Sequence, residues 1–156
     1  MQDAIDDIDR QLVDALLADG RASANELADT VGVATATATK RVQSLEAAGV
    51  IEGYRPQVDY EAFGFDVTAV FQLDVAGDGL QSVVADLEAA ESMVDVYEVT
   101  GSHDVVAVGK FTDTETLNAE IKSLLTDPTV ESVSTSVVLD VVCEDEPLPV
   151  ADDKVS

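Results

Sequence analysis

Apolar side chains in the first third of the chain recur at helical spacing in three separate stretches. They predict a helix over residues 5–17, a short second helix that starts at Ser23, and a third helix over residues 35–48. The apolar positions that define these helices are Ile5, Ile8, Leu12, Leu16, Leu27, Ala28, Val31, Ala38, Val42 and Leu45. Four acids crowd the start of the first helix, where they favour the positive end of its dipole: Asp3, Asp6, Asp7 and Asp9.

The boundaries of the second and third helices are marked by their flanking residues. Ser23 and Glu26 have the spacing of a capping box, in which each side chain accepts a hydrogen bond from the other residue's backbone N–H. Gly32 and Gly49 follow the last apolar positions, where a left-handed residue commonly ends a helix. Two short helices joined by a glycine-containing turn predict a helix-turn-helix.

From Val67 onwards the apolar pattern changes to a period of two, which is typical of a half-buried strand. The elements predicted after this strand are a helix over 79–91, strands over 94–100 and 104–111, a helix over 114–125 that Asp127 and Pro128 end, and a strand over 130–142. The order βαββαβ is that of a ferredoxin-like unit. The predicted fold class is therefore α+β, with an N-terminal helix-turn-helix (winged-helix-like) domain and a C-terminal ferredoxin-like domain.

The segments outside these elements complete the domain plan. Residues 50–55 predict a short strand, and residues 57–60 suit either a further strand or a plain tether. We place the helix-turn-helix domain at 1–53, the linker at 54–65, the ferredoxin-like domain at 66–143 and an acidic tail at 144–156. The tail has two prolines and no periodicity, so we expect it to be ordered only where a neighbour holds it.

The last predicted strand has two different faces. Val133, Val137, Leu139 and Val141 form one face, and Ser132, Ser134, Ser136 and Asp140 form the other. The valine-rich face is suited to packing on the helices. The serine-rich face allows close approach of another sheet or hydrogen bonding to a small polar ligand, and a plainly solvated outer face explains it equally well.

The charge is unevenly distributed along the 156 residues. The formal net charge is −24, of which residues 21–55 contribute zero, residues 1–20 contribute −5 and residues 56–156 contribute −19. Such an acidic total opposes a polyanionic partner, but the acid lies away from the third helix. An acidic surface with only four lysines resembles that of proteins from salt-in halophiles and predicts a halophilic archaeon as the source. At molar salt the Debye length falls to ~3 Å, which screens the repulsion from DNA.

Small hydroxyls and two cations mark the third helix as a candidate for the major groove. Hydroxyls can hydrogen-bond to base edges or phosphates, and cations pair with phosphates. Because threonine is a mediocre helix former, several threonines in one helix favour a role in binding over a chance occurrence. A solvated face is the alternative. The predicted DNA-binding residues are Arg21, Ser23, Thr35, Ala36, Thr37, Thr39, Lys40, Arg41 and Ser44.

The whole N-terminal third resembles the Lrp/AsnC family of amino-acid-responsive transcription regulators. The resemblance lies in Asp9, Arg10, Leu12, Leu16, Asp19, Gly20, Arg21, Ser23, Glu26, Leu27, Ala28, Val31, Gly32, Arg41, Val42, Leu45, Glu46, Gly49, Val50, Ile51, Gly53 and Tyr54. It implies a regulator of amino-acid metabolism that binds double-stranded DNA as a homodimer, with tetramers or octamers as further assemblies. Ala34 stands where the family usually has a serine cap, so Thr35 is expected to take over that role, and Gln43 and Ser44 stand where the family tends to be basic.

A turn between two predicted strands is the candidate effector site. Gly101 lets backbone N–H groups approach a carboxylate, and Asp104 can accept an ammonium, so the turn could bind an α-amino acid. A hairpin turn chosen for its dihedral angles is the alternative. The resemblance favours the site, because the family has Gly-x-x-Asp there, and it adds the last strand at a dimer–dimer contact. The predicted effector-binding residues are Thr100, Gly101, Ser102, His103, Asp104, Thr135, Ser136 and Val138. His103 replaces a common aromatic and is expected to be exposed.

Other classes of function find little support in the chain. The glycines are dispersed, and one His and one Cys offer no metal set, so we expect no enzyme, no metal and no cofactor. The lone Cys143, expected at the end of a strand, and the absence of an apolar run or signal peptide predict a cytoplasmic protein. Two rival hypotheses remain: an amino-acid sensor whose helix-turn-helix serves only protein contacts, and an enzyme on the ferredoxin-like half.

Overall fold

A computed structural model describes residues 4–151, which form two compact units. The helical unit comprises residues up to Gln57 together with the segment from Cys143 onwards, and the sheet unit spans Val58–Val142. The predicted contribution of Asp3 to the first helix and the last five residues of the predicted tail lie outside the described residues.

Three helices form the first unit: α1 Asp7–Ala18, α2 Ala24–Val31 and α3 Thr35–Ala47. α1 begins at a capping box between Asp6 and Asp9, and α2 begins at the predicted capping box between Ser23 and Glu26. Gly32 ends α2 with φ +80° and Gly49 follows α3 with φ +74°, both left-handed as predicted. The helix-turn-helix is therefore confirmed, with bounds within two residues of the prediction.

The core of the helical unit is small. Leu12, Leu27, Ala28 and Ala38 are buried together, and Ile8, Leu16, Val31 and Val42 pack against them half-buried. Two of the four buried residues are alanines, which let α2 and α3 approach α1 closely. The predicted apolar stripes of all three helices thus meet, except that Ile5 precedes α1 and is 45% exposed.

Two expectations for the helical unit are wrong. Residues 50–55 form no strand, and the chain from Glu52 to Asp59 has no regular structure. A strand needs a pairing partner, and within residues 4–151 no strand pairs with this segment, so its β-branched residues alone do not suffice. Thr35 does not cap α3: Ala34 occupies the N-cap in extended conformation without a side-chain hydrogen bond.

The described part of the tail is held by α1. Asp14 accepts hydrogen bonds from the backbone N–H groups of Val150 and Ala151 at 2.8 and 3.1 Å. Arg10, one helical turn earlier, donates to the carbonyl oxygen of Val150 at 3.1 Å. The acidic segment before these contacts is exposed, Leu148 included. α1 therefore holds Val150 and Ala151, the last two residues that the structure describes.

The sheet unit contains a four-stranded antiparallel sheet with two helices. After a short 3-10 helix at Tyr60–Phe63, the elements follow in the order βαββαβ. They are β1 Val67–Val75, α4 Leu80–Ala89, β2 Met93–Glu98, β3 Val105–Phe111, α5 Thr114–Leu125 and β4 Val130–Val137. The strand order β2-β3-β1-β4 places β1 and β3 at the centre, which is the predicted ferredoxin-like topology.

The core of the sheet unit lies between the sheet and its helices. Alternate residues of β1, from Ala69 to Val75, are buried, and so are alternate residues of β3. The rings of Phe71 and Phe111 meet edge to face with centroids 5.9 Å apart. Val83, Leu87, Leu117 and Leu124 cover them from the helices. The period-two pattern of β1 is therefore confirmed residue by residue.

β4 is shorter than predicted. It ends at Val137 rather than residue 142, and beyond Val138, whose N–H bonds the Thr68 carbonyl oxygen, the chain leaves the sheet. Of the predicted valine face only Val133 packs on the core, while Leu139 is 99% exposed. Cys143 consequently lies in an exposed irregular segment and not at the end of a strand. β1 starts at Val67, so β4 has nothing to pair with further along.

Candidate nucleic-acid interface and effector site

The outer surface of α3 is narrower than the sequence suggested. Among the predicted contacts on this helix, Thr35, Ala36, Thr39, Lys40 and Ser44 are exposed, whereas Thr37 and Arg41 are half-buried. Residues two apart in a helix differ by about 200° in direction, so threonines at alternate positions cannot share one face. The outermost line of α3 is formed by Ala36, Lys40, Gln43 and Ser44.

Several predicted contact residues already have local hydrogen-bond partners. The Thr35 hydroxyl donates to Asn25 Oδ1 of α2 at 2.9 Å, which ties the start of α3 to the preceding helix. Ser44 donates to the Lys40 carbonyl oxygen, and Ser23 accepts from the Glu26 N–H in its capping box. A hydroxyl can take part in more than one hydrogen bond, so these groups keep capacity for a ligand.

Thr39 and Arg21 flank the outer line of α3. Thr39 contributes to a shallow groove that Gln43, Glu46 and Tyr54 also line. Partial burial of the Tyr54 hydroxyl raises its pKa, and the nearby Glu46 carboxylate raises it further. Arg21 is exposed just before α2, where its backbone N–H bonds the Asp19 carboxylate. Both residues remain accessible, and none of the predicted DNA contacts is packed inside the helical unit.

Arg41 is engaged by the start of α1. Its Nη1 lies 2.5 Å from Asp6 Oδ2 and 3.3 Å from Asp9 Oδ1. The pKa of Asp6 is lowered, first by the hydrogen bond from the Asp9 N–H and then by the bond from Arg41. The two cations of α3 therefore differ: Lys40 extends outwards without an ion pair among the described residues, and Arg41 is held against α1.

The predicted effector turn has the expected backbone and an additional structural role. Gly101 adopts φ +108°, which an L side chain rarely tolerates. The Asp104 backbone N–H donates to the Leu73 carbonyl oxygen, and its carboxylate accepts from the Val75 N–H at 2.8 Å. One carboxylate oxygen of Asp104 thus fixes the end of β1, and the side chain remains exposed.

A polar cluster beside this turn was missed by sequence reasoning. His103 is half-buried rather than exposed, and its Nδ1 lies 3.0 Å from Asp74 Oδ1. Ser132 of β4 donates to the other oxygen of Asp74, and these two contacts, the serine first, lower the pKa of Asp74. The available signal was that Asp74 and Ser132 alternate with the apolar positions of their strands; their pairing across β1 and β4 is visible only in the structure.

The remaining predicted effector residues lie further along β4. Thr135 is paired with Phe71, Ser136 with Val70, and Val138 bonds Thr68. Ser132 is paired with Asp74, which contacts His103 of the turn, and at ~3.4 Å per residue Thr135 stands about 10 Å further along β4. Within one chain the structure therefore brings Asp74, His103, Asp104 and Ser132 together and leaves Thr135, Ser136 and Val138 apart.

The described residues also bear on membrane-spanning helices and metal sites. Within residues 4–151, no helix has the length and apolar character needed to cross a membrane. No group of three or more His, Cys, Asp or Glu side chains in the same residues is arranged to hold a metal ion.

Both halves of the chain match known family models. Residues 5–46 match the AsnC-type helix-turn-helix domain, and residues 68–148 match the Lrp/AsnC ligand binding domain. The first match covers the three helices, and the second covers the sheet, the turn at 100–104 and the start of the tail.

Whole-chain relatives support the same assignment. An uncharacterised HTH-type transcriptional regulator from Pyrococcus abyssi is 33% identical over 141 residues, covering 90% of this chain and 96% of the relative. A feast or famine regulatory protein from M. tuberculosis, complexed with L-methionine, superimposes with a TM-score of 0.87 at 29% identity, covering 94% of this chain and 99% of that one. A Neisseria meningitidis transcriptional regulator in complex with L-Met has a TM-score of 0.88, covering 94% and 97%; at 22% identity it supports the fold alone.

Proposed function

The chain belongs to the Lrp/AsnC family of transcription regulators, and from that premise we propose a separate binding function for each of its two units. The helical unit binds double-stranded DNA through α3, and the sheet unit binds a small effector, an amino acid or a related molecule. A regulator of transcription works where the DNA is, so we place the protein in the cytoplasm, and we ascribe no enzymatic activity to it.

The observation that carries the DNA-binding proposal is the exposed line of α3. Ala36, Lys40 and Ser44 reach solvent from a helix whose opposite side, Ala38 and Leu45, is buried. This is the geometry with which a recognition helix enters a major groove while its scaffold stays outside. The charge of the segment supports it, since residues 21–55 sum to zero in a chain of −24, although Asp6 and Asp9 of α1 also lie against Arg41 of α3. We include Arg21, Ser23, Thr35, Thr37, Thr39 and Arg41 as flanking candidates.

A substitution at Lys40 tests this proposal directly. We expect Lys40→Ala to weaken binding to a duplex selected from a random pool and to reduce the salt slope by about 1, because one phosphate contact is lost. Lys122→Ala, which removes an exposed cation of α5 in the sheet unit, is the matched control and should leave affinity unchanged. Equal effects of the two variants would favour a sensor that acts through protein contacts.

We propose that the effector binds at the turn 100–104 together with Asp74 and Ser132. The open carboxylate oxygen of Asp104 offers an acceptor for an ammonium group, and the left-handed Gly101 exposes backbone N–H groups to a carboxylate. L-methionine in a similar M. tuberculosis regulator makes amino acids the first class to test. Thr100, Ser102 and His103 complete the turn, and Thr135, Ser136 and Val138 belong to the site if a second chain supplies them.

Asp104→Asn separates binding from folding. Asparagine keeps an acceptor for the Val75 N–H but removes the charge, so the sheet should stay folded while amino-acid binding is lost. Calorimetric titration with a panel of amino acids measures the binding. Asp78→Asn, an exposed carboxylate before α4, serves as the control. Full binding by Asp104→Asn would remove this residue from the site.

We propose that the protein acts as a homodimer, with tetramers or octamers as further assemblies. The outer sheet face supports this, since Val70, Val106 and Val108 are only half-exposed there, and Val70 of β1 is paired with Ser136 of β4. An apolar strip next to small side chains suits close approach of a second sheet. Light scattering with and without the amino-acid panel measures the state; a monomer under all conditions contradicts the proposal.

The acidic surface supports a further proposal, that the protein works at high salt in a halophile. The repulsion among surface carboxylates in a protein of net charge −24 is screened when the Debye length falls to ~3 Å at molar salt. We therefore expect the thermal midpoint to rise between dilute buffer and molar KCl. A protein that is fully folded and most stable in dilute buffer would exclude this habitat.

A further inference from the structure

The ion pair between α3 and α1 concerns one of only two cations on the proposed recognition helix. Arg41 Nη1 contacts two carboxylates, Asp6 and Asp9, which come from the N-cap and the first turn of α1. The three side chains are partly exposed, with 33% for Arg41, 47% for Asp6 and 14% for Asp9. The contact therefore lies at the surface, where a DNA phosphate could replace a carboxylate.

The side chains of Asp6 and Asp9 are ordered by hydrogen bonds that do not involve Arg41. Asp6 Oδ1 accepts from the Asp9 N–H at 3.0 Å, and Asp9 Oδ2 accepts from the Asp6 N–H at 3.1 Å. Each carboxylate thus uses one oxygen for the capping box and presents the other to Arg41. Because the capping box already orders both side chains, the pair forms at little extra entropic cost, unlike most surface ion pairs.

Arg41 also stands in a suitable place for DNA. It lies about 100° around α3 from Lys40, on the flank towards α1. A helix in the major groove has phosphates along both groove walls, so cations on its flanks meet phosphates rather than base edges. The same guanidinium can therefore serve α1 or the duplex.

We propose that Asp6 and Asp9 are internal counter-ions that compete with DNA phosphate for Arg41, so that the free protein withholds this cation from the duplex. The inference rests on the proposed DNA binding through α3. It assigns Asp6 and Asp9 as positioning residues that act through Arg41, and it makes Lys40 the phosphate contact that is always available.

A double-mutant cycle tests the competition. Asp6→Asn with Asp9→Asn removes both charges, and asparagine still accepts the two capping hydrogen bonds, so α1 should remain intact. We expect this variant to bind the selected duplex severalfold more tightly at about 100 mM salt, with a salt slope steeper by about 1. The gain should then shrink about threefold between about 50 and 200 mM salt. In an Arg41→Ala background the same pair of substitutions should produce no such gain.

Two controls separate this effect from simpler ones. Asp7→Asn removes a neighbouring exposed charge of α1 that makes no ion pair within residues 4–151, so it measures the general benefit of lowering negative charge near DNA. Circular dichroism and thermal midpoints of all variants confirm that the helices persist; if the double variant is not helical, Asp9→Asn alone, which leaves Asp6 at the N-cap, should show part of the gain.

Each outcome decides the question. An unchanged or weaker affinity in a folded double variant overturns the inference, and so does a gain of equal size with and without Arg41. If DNA binding persists and depends on Lys40 in those cases, the proposed function stands and only the counter-ion role fails. If Lys40→Ala has no effect either, the proposed function itself fails.

Discussion

The sheet unit buries twelve apolar residues in one cluster, whereas the buried cluster of the helical unit has four, two of them alanines, within residues 4–151. At ~25 cal/mol per Å² of apolar surface, the sheet unit gains most of its stability from its core. The helical unit relies more on contacts at its surface: two capping boxes, the Arg41 pair and the clamp on the tail. The proposed DNA-binding half should therefore be the one that is sensitive to its termini and to helix capping.

The largest effect is expected from Phe71→Ala in the sheet unit. Phe71 is fully buried against Phe111, and removing such a ring costs ~3–5 kcal/mol through lost burial and the cavity left behind. Hydrogen exchange should show reduced protection of the amides of β1 and β3, with α1–α3 unchanged. Phe63→Ala, at a ring that is 72% exposed, is the control and should have little effect. Equal loss of protection in α1–α3 would show that the two units unfold as one.

A smaller effect is expected when the tail clamp is removed. Asp14→Ala deletes the acceptor of two backbone hydrogen bonds, and ending the chain after Pro149 deletes their donors. Each change should lower the stability of the helical unit by about 1–2 kcal/mol, measured by exchange of the α1 amides. Because both changes break the same contact, Asp14→Ala should have no further effect in the shortened chain. Additive losses would contradict the clamp.

Adding an N-cap to α3 should change the stability of the helical unit by a similar or smaller amount, in this case upwards. Ala34 has φ −68° and ψ 147°, close to the values of −71° and 162° at Ser23, which does cap its helix. Ala34→Ser should therefore supply the missing cap and stabilise the helical unit by about 1 kcal/mol in a denaturant titration. Ala36→Ser, inside the first turn of the same helix, is the control and should not stabilise it. No gain at Ala34 would contradict this prediction.

Sequence reasoning succeeded where local chemistry decides the structure. The bounds of α5 were predicted residue for residue, because Asp127 and Pro128 mark its end locally; in the structure Asp113 caps its start. It failed where a partner decides: β4 stops where β1 has no further residues to pair, and residues 50–55 have no partner strand in the part of the chain that the structure describes. Apolar and β-branched residues in those segments say nothing about what lies beside them.

The candidate sites divide in the same way. The left-handed Gly101 and the position of Asp104 followed from the turn itself. The ion pair of Arg41 with Asp6 joins residues 35 apart, and the cluster of Asp74 with Ser132 joins residues 58 apart. Such contacts depend on how helices and strands are placed against one another, so the pattern of single segments does not contain them.

The smallest expected effect is a difference in acid sensitivity between two capped helices. Asp113 caps α5, and the backbone N–H of Thr116, followed by its hydroxyl, lowers the pKa of the Asp113 carboxyl. Ser23 caps α2 with a group that does not titrate. Because the folded state has the lower pKa, the contribution of Asp113 is complete above its ordinary value near 4 and is lost as the pH falls through the folded-state pKa.

Amide exchange at the start of each helix, followed between about pH 6 and pH 3 and corrected for intrinsic rates, measures this difference. Protection at Thr116 should fall with acid more steeply than protection at Glu26, the corresponding residue of α2. The Glu26 carboxylate bonds the Ser23 N–H and not the amide that is measured. Asp113→Asn keeps a capping acceptor without the charge and should flatten the profile at Thr116; an unchanged profile would mean that acid acts on α5 through other carboxylates.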